Sequence, residues 1–152
     1  MTPLPRRTVL SAALAVAAFA LLPLVPAHAS GEAGDVYKSP WCGCCTAWID
    51  HMREAGFDLR VTDLEDMASI KAPLGVTPGL ESCHTAVIGG YVIEGHVPAR
   101  EIARLLSERP TATGLAAPGM PMGSPGMETQ GKSDAYDVIL FAPGGNEVFA
   151  SY

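Results

Sequence analysis

Three of the four cysteines of this chain stand within four consecutive positions, in Ser39-Pro40-Trp41-Cys42-Gly43-Cys44-Cys45, and the fourth, Cys83, comes 38 residues after Cys45. Such crowding is a demand on the fold. A framework of disulfides built to staple a small domain spreads its cysteines, whereas sulfurs packed this closely suit soft-metal or thiol chemistry. Cys83, in Glu81-Ser82-Cys83-His84-Thr85 at the entry to a strand-like run, joins the others only if tertiary folding brings it back. Four cysteines allow three pairings, and the one that includes a Cys44–Cys45 bond needs a strained ring between neighbours.

The first 29 residues read as an export signal. Arg6 and Arg7 form a basic start, an apolar run extends from Val9 to Leu22, and Ala27-His28-Ala29 is a small-x-small cleavage site. The run is too short for a comfortable membrane span and is followed by Pro23 and Pro26. Arg6-Arg7-Thr8-Val9-Leu10 resembles the core of a twin-arginine signal, but paired basic residues also occur in ordinary signals, so the Tat and Sec routes both stay open. Cleavage after Ala29 leaves 123 residues, enough for one domain, with 8 basic against 16 acidic side chains. A net charge of −8 without a basic block excludes nucleic acid and anionic membrane surfaces as natural partners.

Along residues 30–110 the apolar spacing predicts one domain. Asp35 to Lys38 is a strand stopped by Ser39-Pro40, and Cys45 to Ala55 is a helix stopped by Gly56. Phe57, Leu59 and Val61 alternate with polar residues as a second strand, and Leu64 to Leu74 reads as a short helix ending at Gly75. Two strands flank the Gly89-Gly90 turn, and Pro98 to Glu108 is an amphipathic helix. The order is βαβαββα. Residues 111–132, rich in Gly, Pro, Ser and Met, are expected to be a loop without helix or strand. Residues 133–152 form a hairpin around Pro143-Gly144-Gly145-Asn146; since an isolated hairpin does not hold itself together in water, it is expected to pack on the main domain.

Thiolates at a helix N-terminus are stabilised by its positive potential, which makes them better nucleophiles and ligands. Cys42 and Cys45, three apart, project to one side of such a helix; Cys44 flanks them and Cys83 closes the group. Zinc is ordinarily held by two well-separated Cys-x-x-Cys pairs, and three adjacent ligands crowd one tetrahedral ion. Cu(I) accepts two or three thiolates and lets a sulfur bridge several ions, so the crowding favours a multinuclear Cu(I) cluster on Cys42, Cys44, Cys45 and Cys83. Met120, Met122 and Met127, thioethers in a polar loop, are weaker candidate ligands, with surface gap-filling as their plainer role.

The βαβαββα order, with a cysteine motif between first strand and first helix, resembles the thioredoxin-like fold. Trp41-Cys42-Gly43-Cys44-Cys45 differs from a thioredoxin Trp-Cys-Gly-Pro-Cys site only in placing Cys44 where proline stands. The thioredoxin family opens the facing strand with a cis-proline; the matching region here is Cys83-His84-Thr85, with no proline beside Thr85. Together with Gly95-His96-Val97-Pro98-Ala99 and the stretch Gly119-Met120-Pro121-Met122-Gly123-Ser124-Pro125-Gly126-Met127-Glu128, these motifs make the chain similar to the CopG-type periplasmic copper-resistance proteins over essentially all of its mature length. The resemblance implies a thioredoxin-like scaffold, copper bound through the four cysteines, and a part in copper tolerance that includes interconversion of Cu(I) and Cu(II). It also implies a periplasmic location, with copper carriers or efflux components as partners.

The histidines are less informative. His84 is a candidate ligand or supporting donor, although strand alternation sets it opposite Cys83 unless the strand is only beginning there. His96 suits loop orientation as well as metal contact. His51 reads as a surface residue and His28 leaves with the signal. Trp41 is expected to shield the cysteines and Trp48 to lie in the core. A second function class is thiol–disulfide oxidoreductase, with Cys42 attacking a substrate disulfide and Cys45 resolving it.

Overall fold

In the computed structural model, which describes residues 31–152, the elements follow as β1 (Ala33–Lys38), α1 (Gly43–Glu54), β2 (Asp58–Asp63), α2 (Ala68–Lys71), β3 (His84–Ile88), β4 (Tyr91–Gly95), α3 (Ala99–Glu108), β5 (Gly114–Ala117), β6 (Asp137–Ala142) and β7 (Gly145–Ser151). The expected export signal and its cleavage site lie outside the described residues. The first seven elements have the βαβαββα order, and all seven strands join one sheet in the order β2-β1-β3-β4-β5-β6-β7. Pairs β1/β2 and β4/β5 are parallel and the others antiparallel. No helix among the described residues is long and apolar enough to cross a membrane.

Alternation along the strands sorts side chains onto two faces. Val36, Leu59, Ala86, Ile88 and Ile93 meet Trp48, Ile49 and Met52 of α1 and Ile102 and Leu105 of α3 in the main core. On the opposite face Val92, Ala116 and Phe141 are covered by Val76 and Leu80 from the connection between α2 and β3. The sheet is therefore covered on both sides near its middle.

The second predicted helix is much shorter than Leu64 to Leu74: only Ala68–Lys71 is helical. Asp66 Oδ1 accepts the Ala68 amide hydrogen at the start, and Pro73, which has no amide hydrogen to continue the ladder, ends the run although Ala72 before it keeps helical backbone. Within the expected loop, Gly114–Ala117 is instead a fully buried strand between β4 and β6. Its small residues suit the crowded position: a Cβ on Gly114 would stand 1.7 Å from the Val92 carbonyl oxygen. Through β5 the terminal hairpin continues the sheet, and Val138 and Leu140 of β6 enter the main core.

Candidate metal centre

Strand pairing explains how distant cysteines meet. β1 delivers the chain into the cysteine loop, and its last residue, Lys38, pairs antiparallel with His84, the first residue of β3. Cys83, one step before β3, is thereby set beside the start of α1. The Cys42 amide donates to Ser39 O at 3.1 Å, turning the chain so that Cys42 is the extended N-cap residue and Cys44 and Cys45 lie in the first helical turn. That turn contains no acidic residue to oppose the helix's positive end.

The four sulfurs lie within 4.8 Å of one another. Cys42 and Cys45 are joined in a disulfide, while Cys44 and Cys83 are free thiols. Cys44 Sγ is 3.4 Å from Cys42 Sγ and 3.9 Å from Cys83 Sγ, and Cys83 Sγ is 3.4 Å from Cys45 Sγ. Cys45 is buried and the other three are half-buried, so the group meets the surface on one side. Trp41 does not cover that side: it is 86% exposed, projecting at the rim rather than shielding the sulfurs. An indole this exposed makes too little contact to keep water from the sulfurs. Trp48 is in the core and donates from Nε1 to Val97 O at 2.9 Å.

Two buried imidazoles line the inner side. β4 runs antiparallel to β3, with Thr85 opposite Glu94, so His96, just beyond β4, comes opposite Cys83. His96 Nε2 is 3.0 Å from Cys83 Sγ, and its Nδ1 is 2.8 Å from Pro125 O. A carbonyl only accepts, so Nδ1 carries the hydrogen in the neutral ring and Nε2 receives the Cys83 thiol hydrogen. His84 Nδ1 is 3.4 Å from Cys83 Sγ, and its ring packs against Trp48 and His96 with centroids 4.4 and 5.0 Å away. Because β3 begins at His84, strict alternation has not yet separated it from Cys83.

Burial, followed by the charge of Cys44, pushes the Cys83 thiol up to about 12. Burial likewise holds His96 below the ordinary imidazole range and His84 well below it, with His96 and Lys71 adding to the effect on His84. The metal-free centre is thus uncharged at this end, and a metal must displace the Cys83 proton to gain its sulfur.

The glycine- and methionine-rich segment closes over the centre with its backbone. Pro125 holds His96, and Gly126 lies against the first turn of α1, where an added Cβ would come within 2.8 Å of Cys44 O. Met122 and Met127 sit half-buried on either side of this turn, with the Gly123 amide bonded to Met127 O. Met120 lines a shallow cleft with Pro118, Tyr136 and Ile139. His51 is half-buried, and its Nε2 accepts the Ala99 amide hydrogen at the start of α3.

A buried ion pair missed at the level of sequence braces both flanks of Cys83. Glu94 Oε1 accepts from the Lys71 ammonium and from the Ser82 amide, and Oε2 accepts from Thr85 Oγ1 at 2.6 Å. Burial raises the Glu94 carboxyl's pKa while these three partners oppose the rise. Glu94 in an otherwise apolar strand was the available signal, but its partner, 23 residues away, has no local signature.

A family profile described as "Protein of unknown function, DUF411" matches residues 80–127, the stretch that contains Cys83, His84, His96 and the methionine-rich turn. No curated protein sequence matches the chain. Two solved structures do. "Copper resistance protein copG- Form 1" is 45% identical with a TM-score of 0.76, covering 80% of this chain and 97% of its own. "Copper resistance protein copG- Form 2" is 44% identical with a TM-score of 0.77, covering 81% of this chain and 99% of its own. Identity at this level across nearly the whole of the solved chains shows that this chain belongs to the CopG copper-resistance protein family.

Proposed function

We propose that this protein is a periplasmic copper-binding protein of copper resistance that holds Cu(I) in a thiolate-bridged cluster on Cys42, Cys44, Cys45 and Cys83. The observation that carries the reading is the convergence of four sulfurs within 4.8 Å at a helix N-terminus. Thiolates select the soft Cu(I) ion, and their close spacing allows one sulfur to serve two ions. The similarity to solved copper-resistance proteins supports copper as the cargo. His84, Met120, Met122 and Met127 are further ligand candidates, and periplasmic copper carriers or efflux components are the expected exchange partners.

The same sulfurs interconvert the two copper states. When two Cu(II) ions each take one electron, the Cys42 and Cys45 thiols each lose a proton and form the disulfide seen in the structure. Reduction of that bond returns both thiols. Anaerobic titration of reduced protein with Cu(I), read by elemental analysis, should give more than one copper per chain, falling sharply in Cys83→Ser. A stoichiometry of one or none in the unsubstituted protein overturns the cluster.

The Cys42–Cys45 disulfide also supports a second reading, thiol–disulfide exchange with a protein substrate. Reduction of insulin that is lost in Cys42→Ser, with little copper bound by either protein, would favour it.

A further inference from the structure

We propose that Cys44 and Cys83 are a second dithiol–disulfide pair, so that the centre holds four electrons rather than two; its coupling to copper rests on the function proposed above. With Cys42 and Cys45 bonded to each other, the remaining two thiols are not scattered. Their sulfurs are 3.9 Å apart, across the junction between the first turn of α1 and the residue before β3. A disulfide requires the sulfurs to close from this contact to about 2.05 Å. Both thiols are half-buried, so an oxidant reaches them from the open side of the group.

Each remaining thiol also touches the existing bond. Cys44 lies 3.4 Å from Cys42 Sγ and Cys83 lies 3.4 Å from Cys45 Sγ, so the four sulfurs form a closed circuit of contacts. Of the three ways to pair four cysteines, only the one that keeps Cys42–Cys45 completes this arrangement without rearrangement, and its second bond is Cys44–Cys83.

The second step balances as the first does. Two Cu(II) ions each accept one electron, the S–H bonds of Cys44 and Cys83 break, one S–S bond forms, and two protons leave to solvent. The fully reduced chain therefore converts four Cu(II) to four Cu(I) and ends with two disulfides. The second bond ties α1 directly to the start of β3.

The test uses reduced, metal-free protein under anaerobic conditions in two arms. In the first, aqueous Cu(II) is added with excess bathocuproine disulfonate, and Cu(I) is counted by absorbance; four equivalents per chain are expected, and two in each of Cys44→Ser and Cys83→Ser, with folding verified by circular dichroism. In the second, diamide replaces copper, and tryptic peptides 39–53 and 72–100 are recovered without reduction. They should appear joined, four hydrogens lighter than the two reduced peptides together, with fragmentation placing the bond between them on Cys44; a bond from Cys83 to Cys42 or Cys45 would overturn the pair. Two Cu(I) equivalents from the unsubstituted protein, with Cys44 and Cys83 still open to maleimide after diamide, would overturn the second pair. Peptides joined through Cys44 after diamide, with no Cu(I) formed, would uphold the pair and overturn the copper chemistry to which it is coupled.

Discussion

A thiol partly withdrawn from water beside a second cysteine keeps its proton, and Cys83 is such a thiol. Its pKa rises from the ordinary 9.0 to about 12, so between these values the unfolded chain has lost a proton that the folded chain retains. The stability this contributes is complete below pH 9 and is lost as pH rises toward 12. The histidines act at the other limb. Held below 6.5, His84 and His96 refuse protons that the unfolded chain takes up, so stability is full above 6.5 and declines as pH falls below it. The Tm of metal-free protein with the Cys42–Cys45 disulfide intact should form a plateau between the two limbs when followed by circular dichroism. Cys83→Ser should lessen the alkaline fall, to which Tyr136, raised by burial from 10.0 to about 12, also contributes, and His84→Phe, which keeps a ring against Trp48, should lessen the acid fall. At this scale the cysteines were legible because their spacing is chemically unusual. His96 was not, because a histidine before Val97-Pro98 looks the same whether it orients a loop or faces a sulfur 13 residues away.

Between elements, two contacts set the geometry of the centre. The Lys71–Glu94 pair fastens α2 to β4 and, through Ser82 and Thr85, holds the approach to β3. Lys71→Met strands a buried carboxylate and should cost about 3–5 kcal/mol in chemical denaturation, with Lys71→Met/Glu94→Gln recovering part of the loss. Gly126, at φ +84°, presses on the first turn of α1; a Cβ there would stand 2.7 Å from the Trp48 nitrogen. Gly126→Ala should lose more than about 1 kcal/mol, measured by urea unfolding, and should lower copper retention by loosening the turn that holds His96. Period-two and amphipathic patterns revealed β2 and α3 directly. The Leu64 to Leu74 helix was overestimated because its apolar residues outweighed Pro73, and β5 escaped notice because a short run with three small residues and one leucine was read with the Gly- and Pro-rich stretch that follows.

For the molecule as a whole, the terminal hairpin completes the sheet and the core together. β6 covers the β5 edge and contributes Val138 and Leu140 to one face and Phe141 to the other. Ending the chain after Lys132 should expose that edge and both apolar faces, giving aggregation in size-exclusion chromatography and loss of a cooperative melt. The packing of the hairpin follows from its inability to stand alone, but the route by which it joins the sheet depends on β5, a non-local pairing without a sequence period of its own. The opposite placements of the two tryptophans have an optical consequence. Trp48 emits from a dry interior, at shorter wavelength, whereas Trp41 emits from water beside Cys42, at longer wavelength and within reach of quenching by whatever occupies the sulfurs. The protein thus has one fluorophore that reports whether it is folded and another that reports the state of its sulfur group.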